Sequence, residues 1–331
     1  MPDYLQGKPL LSVIIPCYNV SRFLPSCFER LDYQTYQNLD IIFINDGSTD
    51  DTKNLIIDYC KKTDKARLID GENKGVGLAR KSGLEQVKGE YFTFFDADDV
   101  ISPNHFESLV DLVVKQNADL GVCAFKRVKP SKISKLKFAK NSKSKVKIYD
   151  REQAIAQYFS QKVFDFTLWN KIYSTKTLKE SGATFIDCRY GEESYFCYHF
   201  LKACNKVAYT PNKTYFYVQW KSSLMHLSFN ESRLDIMKNL SLVEKDSQNY
   251  SESARNYLSS MRSGYIVGLL FFIKKSDYRN AKVISDLITT LKDDCKRLKK
   301  CKKTALYRRL FIPFIPPIAK LLFRKTLKKA K

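Results

Sequence analysis

The first 125 residues repeat one pattern: a short apolar run that ends in polar residues, then a stretch with helical spacing. Ser12–Cys17 (SVIIPC) reads as a buried strand, and Ser21 as the cap of a helix running to about Leu31. Asp40–Asn45 (DIIFIN) is a second strand, closing in Asp46-Gly47-Ser48-Thr49, and the next helix carries Leu55, Ile56 and Tyr59 on one face. Ala66–Ile69 is a third strand, Gly75–Val87 a third helix, and Tyr91–Phe95 (YFTFF) a fourth strand running into Asp96-Ala97-Asp98-Asp99. Pro103 marks the first turn of a further helix, and Asp119–Phe125 the strand after it. Strands that alternate with helices of this length are joined by right-handed crossovers, which give an α/β fold with a mostly parallel sheet covered on both faces.

After Phe125 the pattern breaks. Residues 150–220 mix a helix, a compact Trp169-Asn170-Lys171 segment and a strand-like run at Lys213–Gln219 (KTYFYVQ), and from Ser228 onward the spacing is helical. The expected division is therefore residues 1–225 as an α/β domain and 226–331 as a helical C-terminal region. Apolar residues are 44% of the chain, enough for a real core, so global disorder is excluded. The nine cysteines include no CxxC pair and no histidine at ligand spacing, against both a zinc site and a disulfide scaffold. The apolar run from Leu10 ends at Pro16 and Cys17, and reads as a strand rather than a signal peptide; a reduced, cytosolic compartment is the expectation.

A net charge of +22 suggests nucleic acid until it is located. Residues 126–147 hold ten Lys or Arg and residues 295–331 hold fourteen, with no acid in either stretch, so the rest of the chain is close to neutral. The first stretch reads as a solvated basic loop. The second ends in a tail, 306–331, that interleaves Leu, Ile and Phe with eight cations. Its longest uncharged run, Leu310–Ala319, contains three prolines and falls short of the ~20 residues a spanning helix needs. A segment lying at an anionic lipid surface fits this composition, and a docked helix with a solvated basic face is the alternative. No helix-turn-helix, RNP-like or zinc module supports specific nucleic-acid binding.

In sheets of this kind ligands bind beyond the carboxyl ends of the strands. Three such ends are polar here: Pro16–Asn19, Asp46–Asp51 and Asp96–Asp99. Singly, each is ordinary turn and cap chemistry. Together they gather carboxylates that repel one another unless a cation sits among them, and a hard divalent ion bound by one or two carboxylates plus substrate phosphates is the usual solution. Asp96-Ala97-Asp98-Asp99-Val100 also matches a dehalogenase-type nucleophile loop, but that loop follows a first strand and this one follows a fourth. Gly75-Val76-Gly77-Leu78-Ala79-Arg80 is a partial dinucleotide fingerprint, with Arg80 where its third glycine belongs.

Val13-Ile14-Ile15-Pro16-Cys17-Tyr18-Asn19, Asp46-Gly47-Ser48-Thr49-Asp50-Asp51-Thr52, Asn73-Lys74-Gly75 with Ala79-Arg80 and Gly83, and Asp96-Ala97-Asp98-Asp99 occur in an order and spacing that resembles the inverting, nucleotide-sugar-dependent glycosyltransferases of family 2. The resemblance is specific from Leu11 to Asp99 and looser to about Leu224. It implies the GT-A fold, a Rossmann-like sheet flanked by helices, and work on bacterial cell-surface polysaccharide. It also implies that Pro16 and Tyr18 border a nucleobase, that Asp46 accepts from a uracil ring nitrogen, and that Arg80 lies near the diphosphate or ribose. Asp96 would contact the ribose or the metal shell, and Asp98 would bind Mg²⁺ or Mn²⁺. For Asp99 two roles stand open: metal or donor-sugar contact, and capping of the helix at Pro103.

Similar enzymes place a general base in a Gly-Glu-Asp segment; here Gly191-Glu192-Glu193 stands in its place, so Glu193 matches the base and Glu192 is second choice. The extra methylene adds roughly 1.5 Å of reach. Two exposed helix-start glutamates are the plain alternative. The implied activity is transfer of a hexosyl or N-acetylhexosaminyl group from a UDP-sugar to a lipid-linked or cell-surface glycan by metal-assisted direct displacement, peripherally at the inner face of the cell membrane. The rival reading is a catalytically inactive nucleotide-sugar-binding partner of another transferase.

Overall fold

The computed structural model describes residues 7–138, 145–220, 229–299, 315–323 and 327. The chain divides into two compact units: residues 1–154 with 166–223, and residues 155–165 with 224–331. Residues 155–165, which the sequence pattern leaves with the sheet, group with the C-terminal helices.

The first unit opens with β1 (Leu11–Cys17), α1 (Leu24–Asp32), β2 (Leu39–Asp46), α2 (Thr52–Cys60), β3 (Ala66–Gly71), α3 (Val76–Leu84) and β4 (Tyr91–Phe94). Then come β5 (Val100–Ile101), α4 (His105–Gln116), β6 (Leu120–Val128), β7 (Lys147–Asp150), α5 (Arg151–Ser160, which from Ile155 on belongs to the second unit), β8 (Lys171–Ser174), α6 (Thr175–Ser181), α7 (Glu192–Ala203) and β9 (Lys206–Val218). The strands form one sheet in the order β3-β2-β1-β4-β8-β6-β9-β5, with β7 also on β9. The stretch β3-β2-β1-β4 is parallel, as is β6 beside β9. Between them β8 lies antiparallel to both neighbours, and β5 and β7 are antiparallel to β9. The sheet is thus mixed, with the parallel run β3-β2-β1-β4 matching the strand–helix alternation of the first 95 residues and β8 inserted antiparallel beyond it.

Alternation along β1 and β2 sends Leu11, Val13, Ile15, Ile41 and Phe43 into a core shared with Leu24 and Leu31 of α1 and Phe106, Leu109 and Val113 of α4. Side chains of this size, fully buried, each contribute about 1.5–3 kcal/mol. Pro16 sits where β1 runs past the end of β4, whose pairing stops at Ile14 opposite Phe94, so its missing N–H costs no ladder bond.

Three local expectations change. Ser21 does not cap α1, which starts at Leu24 with Phe23 at its cap and a proline in its first turn; the Ser21 N–H instead donates to Asp50 at 3.1 Å. Pro103 lies outside α4, which starts at His105 after Asn104. Lys126 and Arg127 are strand residues, paired with Phe216 and Tyr217 of β9, because backbone pairing on a long neighbour extends β6 to Val128. The rest of the basic stretch holds a 3₁₀ turn at Pro130–Lys135 and β7, and 139–144 lie outside the described residues. The eight described cysteines are free.

The second unit contains α8 (Asp235–Asp246), α9 (Glu252–Lys274), α10 (Ala281–Lys299) and α11 (Ile315–Leu322). Ser251 Oγ accepts the Ala254 N–H at 3.3 Å and caps α9. Leu258, Ile266, Ile273, Ile284 and Leu291 are fully buried between the helices. Inside this core Arg262 grips Asp294 with two bonds of 2.9 and 2.6 Å and pairs with Glu244 at 2.9 Å, tying α9 to α10 and α8. Burial pushes the Asp294 carboxyl up, against the pull of Arg262. No described helix is long and apolar enough to cross a membrane. Of the tail 306–331, only α11, Phe323 and Leu327 fall among the described residues.

Candidate active site

The ends of β1 and β2 are tied together by Asn19, a residue the sequence pattern placed in a motif without a role. Its φ of 53° turns the chain after β1, and its Oδ1 accepts the Thr49 N–H at 2.8 Å while its own N–H donates to Ser48 Oγ at 3.0 Å. Asparagine tolerates this left-handed backbone better than most residues. Gly47 is required next to it: φ is +66°, and a Cβ there would lie 2.5 Å from the Asn73 backbone nitrogen. That close approach lets Asp46 clamp the following segment. Its two oxygens accept the N–H groups of Lys74 (2.8 Å) and Gly75 (2.9 Å), at the entry to α3. Any further donor to Asp46 must therefore share an oxygen already in use. Tyr18 stands on the same rim, 48% exposed, with its ring open to a partner.

The Asp96–Asp99 segment is fixed from the far end of the first unit. Asp99 is buried, and its carboxylate accepts the Tyr215 hydroxyl at 2.7 Å and the Val218 N–H at 2.7 Å. It is not the cap of α4, which begins too far on; it anchors β9 to the segment, with both oxygens engaged. The Tyr215 hydroxyl also meets the Asp96 N–H at 3.5 Å, and the Trp220 indole donates to the Asp98 carbonyl at 3.1 Å. Trp220 packs on Phe23 at 4.9 Å. Tyr215, which the sequence pattern assigned only to a strand, and Trp220, which lies just past that strand-like run, are both site-building residues. Burial, then the neighbouring Asp96 charge, push the Asp98 carboxyl up to about 6.

Arg80 joins the two sides of the site. It is 4% exposed on α3, and its guanidinium pairs with Asp96 at 3.3 Å, Glu193 at 2.9 Å and Glu192 at 3.4 Å. Burial opposes its charge, but Glu193, Asp96 and Glu192 outweigh that and hold its pKa above the ordinary value. Among the described residues its buried Nε has no hydrogen-bond partner. Glu192 and Glu193 open α7 behind Gly191, whose φ of 90° turns the chain into the helix. Glu192 is 7% exposed and packs against Gly77, where a Cβ would come within 3.1 Å of its Cγ. Burial pushes its carboxyl up, against Arg80. The Glu193 side chain keeps 22% of its exposure. The two glutamates are thus ion-paired residues of the site, not solvated helix-start charges. Among the described residues no three His, Cys, Asp or Glu form a complete metal shell.

The family model of glycosyl transferase family 2 matches residues 12–182. Glycosyltransferase GlyA of Streptococcus pneumoniae serotype 4 is 29% identical over 218 residues, 65% of this chain and 31% of that protein. The putative glycosyltransferase EpsH of Bacillus subtilis is 28% identical over 222 residues, 66% of this chain and 63% of that protein. The chain thus spans 31% to 63% of the length of these curated relatives. Among solved structures, Staphylococcus aureus TarS 1–349 in complex with UDP-GlcNAc superposes with a TM-score of 0.71 at 17% identity, covering 97% of this chain and 91% of that one. The mannosyltransferase PcManGT of Pyrobaculum calidifontis, in complex with GDP-Man and Mn²⁺, gives a TM-score of 0.57 at 14% identity, covering 98% and 88%. These likenesses carry the GT-A fold.

Proposed function

The chain belongs to glycosyl transferase family 2, and on that premise we propose that it transfers a sugar from a UDP-sugar to a glycan or lipid-linked acceptor with inversion at the anomeric carbon. One observation supports the reading most: buried Arg80 brings the donor-side carboxylate Asp96 and the glutamates of α7 to one point. A displacement needs donor and base side by side, and an ion pair across the two elements holds them so.

Tyr18 and Pro16 border the base, and Asp46 meets the uracil edge through an oxygen it shares with the Lys74 or Gly75 N–H. Arg80 directs its unused Nε–H to the diphosphate. Three carboxylates on one guanidinium, with a fourth at Asp98 whose charge burial and Asp96 both disfavour, are short of positive charge, and a divalent cation fits that deficit. Asp98 and Asp96 would hold Mg²⁺ or Mn²⁺, with diphosphate oxygens completing the shell. Such an ion, when bound, offsets negative charge on the leaving diphosphate. Asp99 stays an anchor of β9.

Glu193 takes the acceptor proton. Of the two glutamates it is the one with an accessible side chain, while Glu192 lies under α3 against Gly77. Arg80 pairs with the Glu193 carboxylate at 2.9 Å and so fixes its position. The acceptor is membrane-linked, at the cytoplasmic face. Support for that comes from α11, which buries Ala319 and Phe323 while Ile318, Leu321 and Leu322 remain exposed beside Lys320, an apolar and cationic face suited to anionic lipid. The test is UDP release from a donor panel with Mn²⁺ and acceptor lipid. Release from no UDP-sugar by the folded protein would sink the proposal; release from one names the donor.

A further inference from the structure

The second unit holds a cavity of about 710 Å³, lined by residues of α8, α9 and α10 and the turn between α8 and α9. That volume falls within the ~300–1,000 Å³ of sites that take small ligands. Its wall carries Lys245, Arg255, Lys296 and Arg297 against Glu244 and Glu252. Glu244 is already balanced, by Arg297 at 3.1 Å and Arg262 at 2.9 Å. Among the described residues Arg255 Nη1 meets only a neutral group, the Gln248 carbonyl at 3.2 Å, and Lys296 has an exposed partner in Asp293 at 3.2 Å. The lining therefore keeps an excess of positive charge, with Glu252 at the exposed first turn of α9 as the counterweight.

Asn256 is the second, independent sign. It lines the same cavity, is 6% exposed, and its side-chain amide has no hydrogen-bond partner among the described residues. Its paired donor and acceptor suit a hydroxyl. Cations that accept an oxyanion beside an amide that reads a hydroxyl define one ligand chemistry.

We propose that this cavity is a second ligand site, specific for a sugar that carries a phosphate. Lys245 and Arg255 take the phosphate oxygens, and Asn256 pairs with a ring hydroxyl. The site stands on the second unit alone and does not depend on the donor reading.

Calorimetric titration of the full chain, with UDP and Mn²⁺ present to fill the donor site, tests it with glucose 6-phosphate, inorganic phosphate and maltotriose as probes. Glucose 6-phosphate should bind saturably and more tightly than inorganic phosphate, and maltotriose should give no heat. Lys245→Glu, at an exposed position that the fold does not need, should weaken glucose 6-phosphate by at least about tenfold, the size expected when a charged hydrogen bond is lost. Asn256→Ala should cost roughly fivefold for glucose 6-phosphate and leave inorganic phosphate unchanged, as loss of one neutral hydrogen bond predicts. The proposal is overturned by an absence of saturable binding, by equal affinity for the two phosphates, or by an unchanged affinity in Lys245→Glu. UDP titrated alone reports on the donor site, so a failure there is told apart from a failure here.

Discussion

Arg80 faces more negative charge than one guanidinium balances, and the chemistry assigned to its partners separates by exposure. Glu193→Gln keeps size and hydrogen bonding but cannot accept a proton, so transfer should fall by about 10²–10⁴-fold with UDP affinity unchanged. A larger loss in Glu192→Gln than in Glu193→Gln would move the base by one residue. Asp98→Asn should abolish turnover in a folded protein, and EDTA should do the same to the wild type reversibly; full activity in EDTA would remove the metal from the scheme. His105 carries a different prediction. Burial holds it neutral, its pKa pushed down from 6.5 to about 3, beside Thr214 at 2.8 Å. Between those values the unfolded chain binds the extra proton, so stability rises with pH; the contribution is present above about 6.5 and is lost as pH falls toward 3. The slope from this one group is about 1.4 kcal/mol per pH unit. Urea midpoints at pH 7 and pH 5 should therefore differ less in His105→Gln than in the wild type. Asp46, Arg80 and Asp98 could be singled out as candidates because each lies inside a short motif at a strand or helix end, and the fold brings Arg80 against Asp96. The anchoring role of Asp99 was not legible, since its partners Tyr215 and Val218 are 116 and 119 residues away and no local pattern reports them.

At the level of elements, the parallel stretch β3-β2-β1-β4 was written in the period of apolar runs. The antiparallel insertion of β8 was not: it is four residues long, and its first residue, Lys171, is 2% exposed. A buried lysine reads as a surface residue in sequence, yet here its ammonium is held by the Thr167 carbonyl and by Asn170 Oδ1 at 3.0 Å. The helical unit poses a similar problem. Arg262 and Asp294 look like surface charges at helical spacing, but their side chains are 11% and 1% exposed and pair across α9 and α10. Removing one partner strands the other, so Arg262→Ala and Asp294→Ala should each cost about 3–5 kcal/mol of unfolding free energy. The double change Arg262→Met with Asp294→Leu should cost less than either, and chemical denaturation monitored by far-UV circular dichroism decides. A double variant as unstable as the worse single one would make the pair an indispensable clamp instead.

For the whole molecule, the proposed attachment to a membrane surface rests on the charge distribution and on the exposed face of α11. Ile318 and Leu321 are 53% and 68% exposed, and each lysine near an anionic surface adds about 1 kcal/mol. The intact chain should sediment with anionic liposomes, less so in high salt, and Ile318→Glu with Leu321→Glu should abolish sedimentation while UDP binding persists. Indifference of the wild type to such liposomes would end the membrane reading. Truncation is a poorer probe, because α11 is docked through Ala319 and Phe323 and by Lys274, which donates to the Leu322 carbonyl at 3.2 Å. The tie between Asp99 and β9 has a further meaning in time. A chain emerging from the ribosome completes β1 to β4, and with them nearly every motif of the donor rim, long before Tyr215 and Val218 exist. Until those residues arrive, Asp99 lacks both donors that hold it, and closing so long a loop is an entropic cost met only by the last strand. The Asp96–Asp99 segment therefore takes its final form only when β9 is made, and a chain cut short of β9 should lack it even though the strands before it are complete.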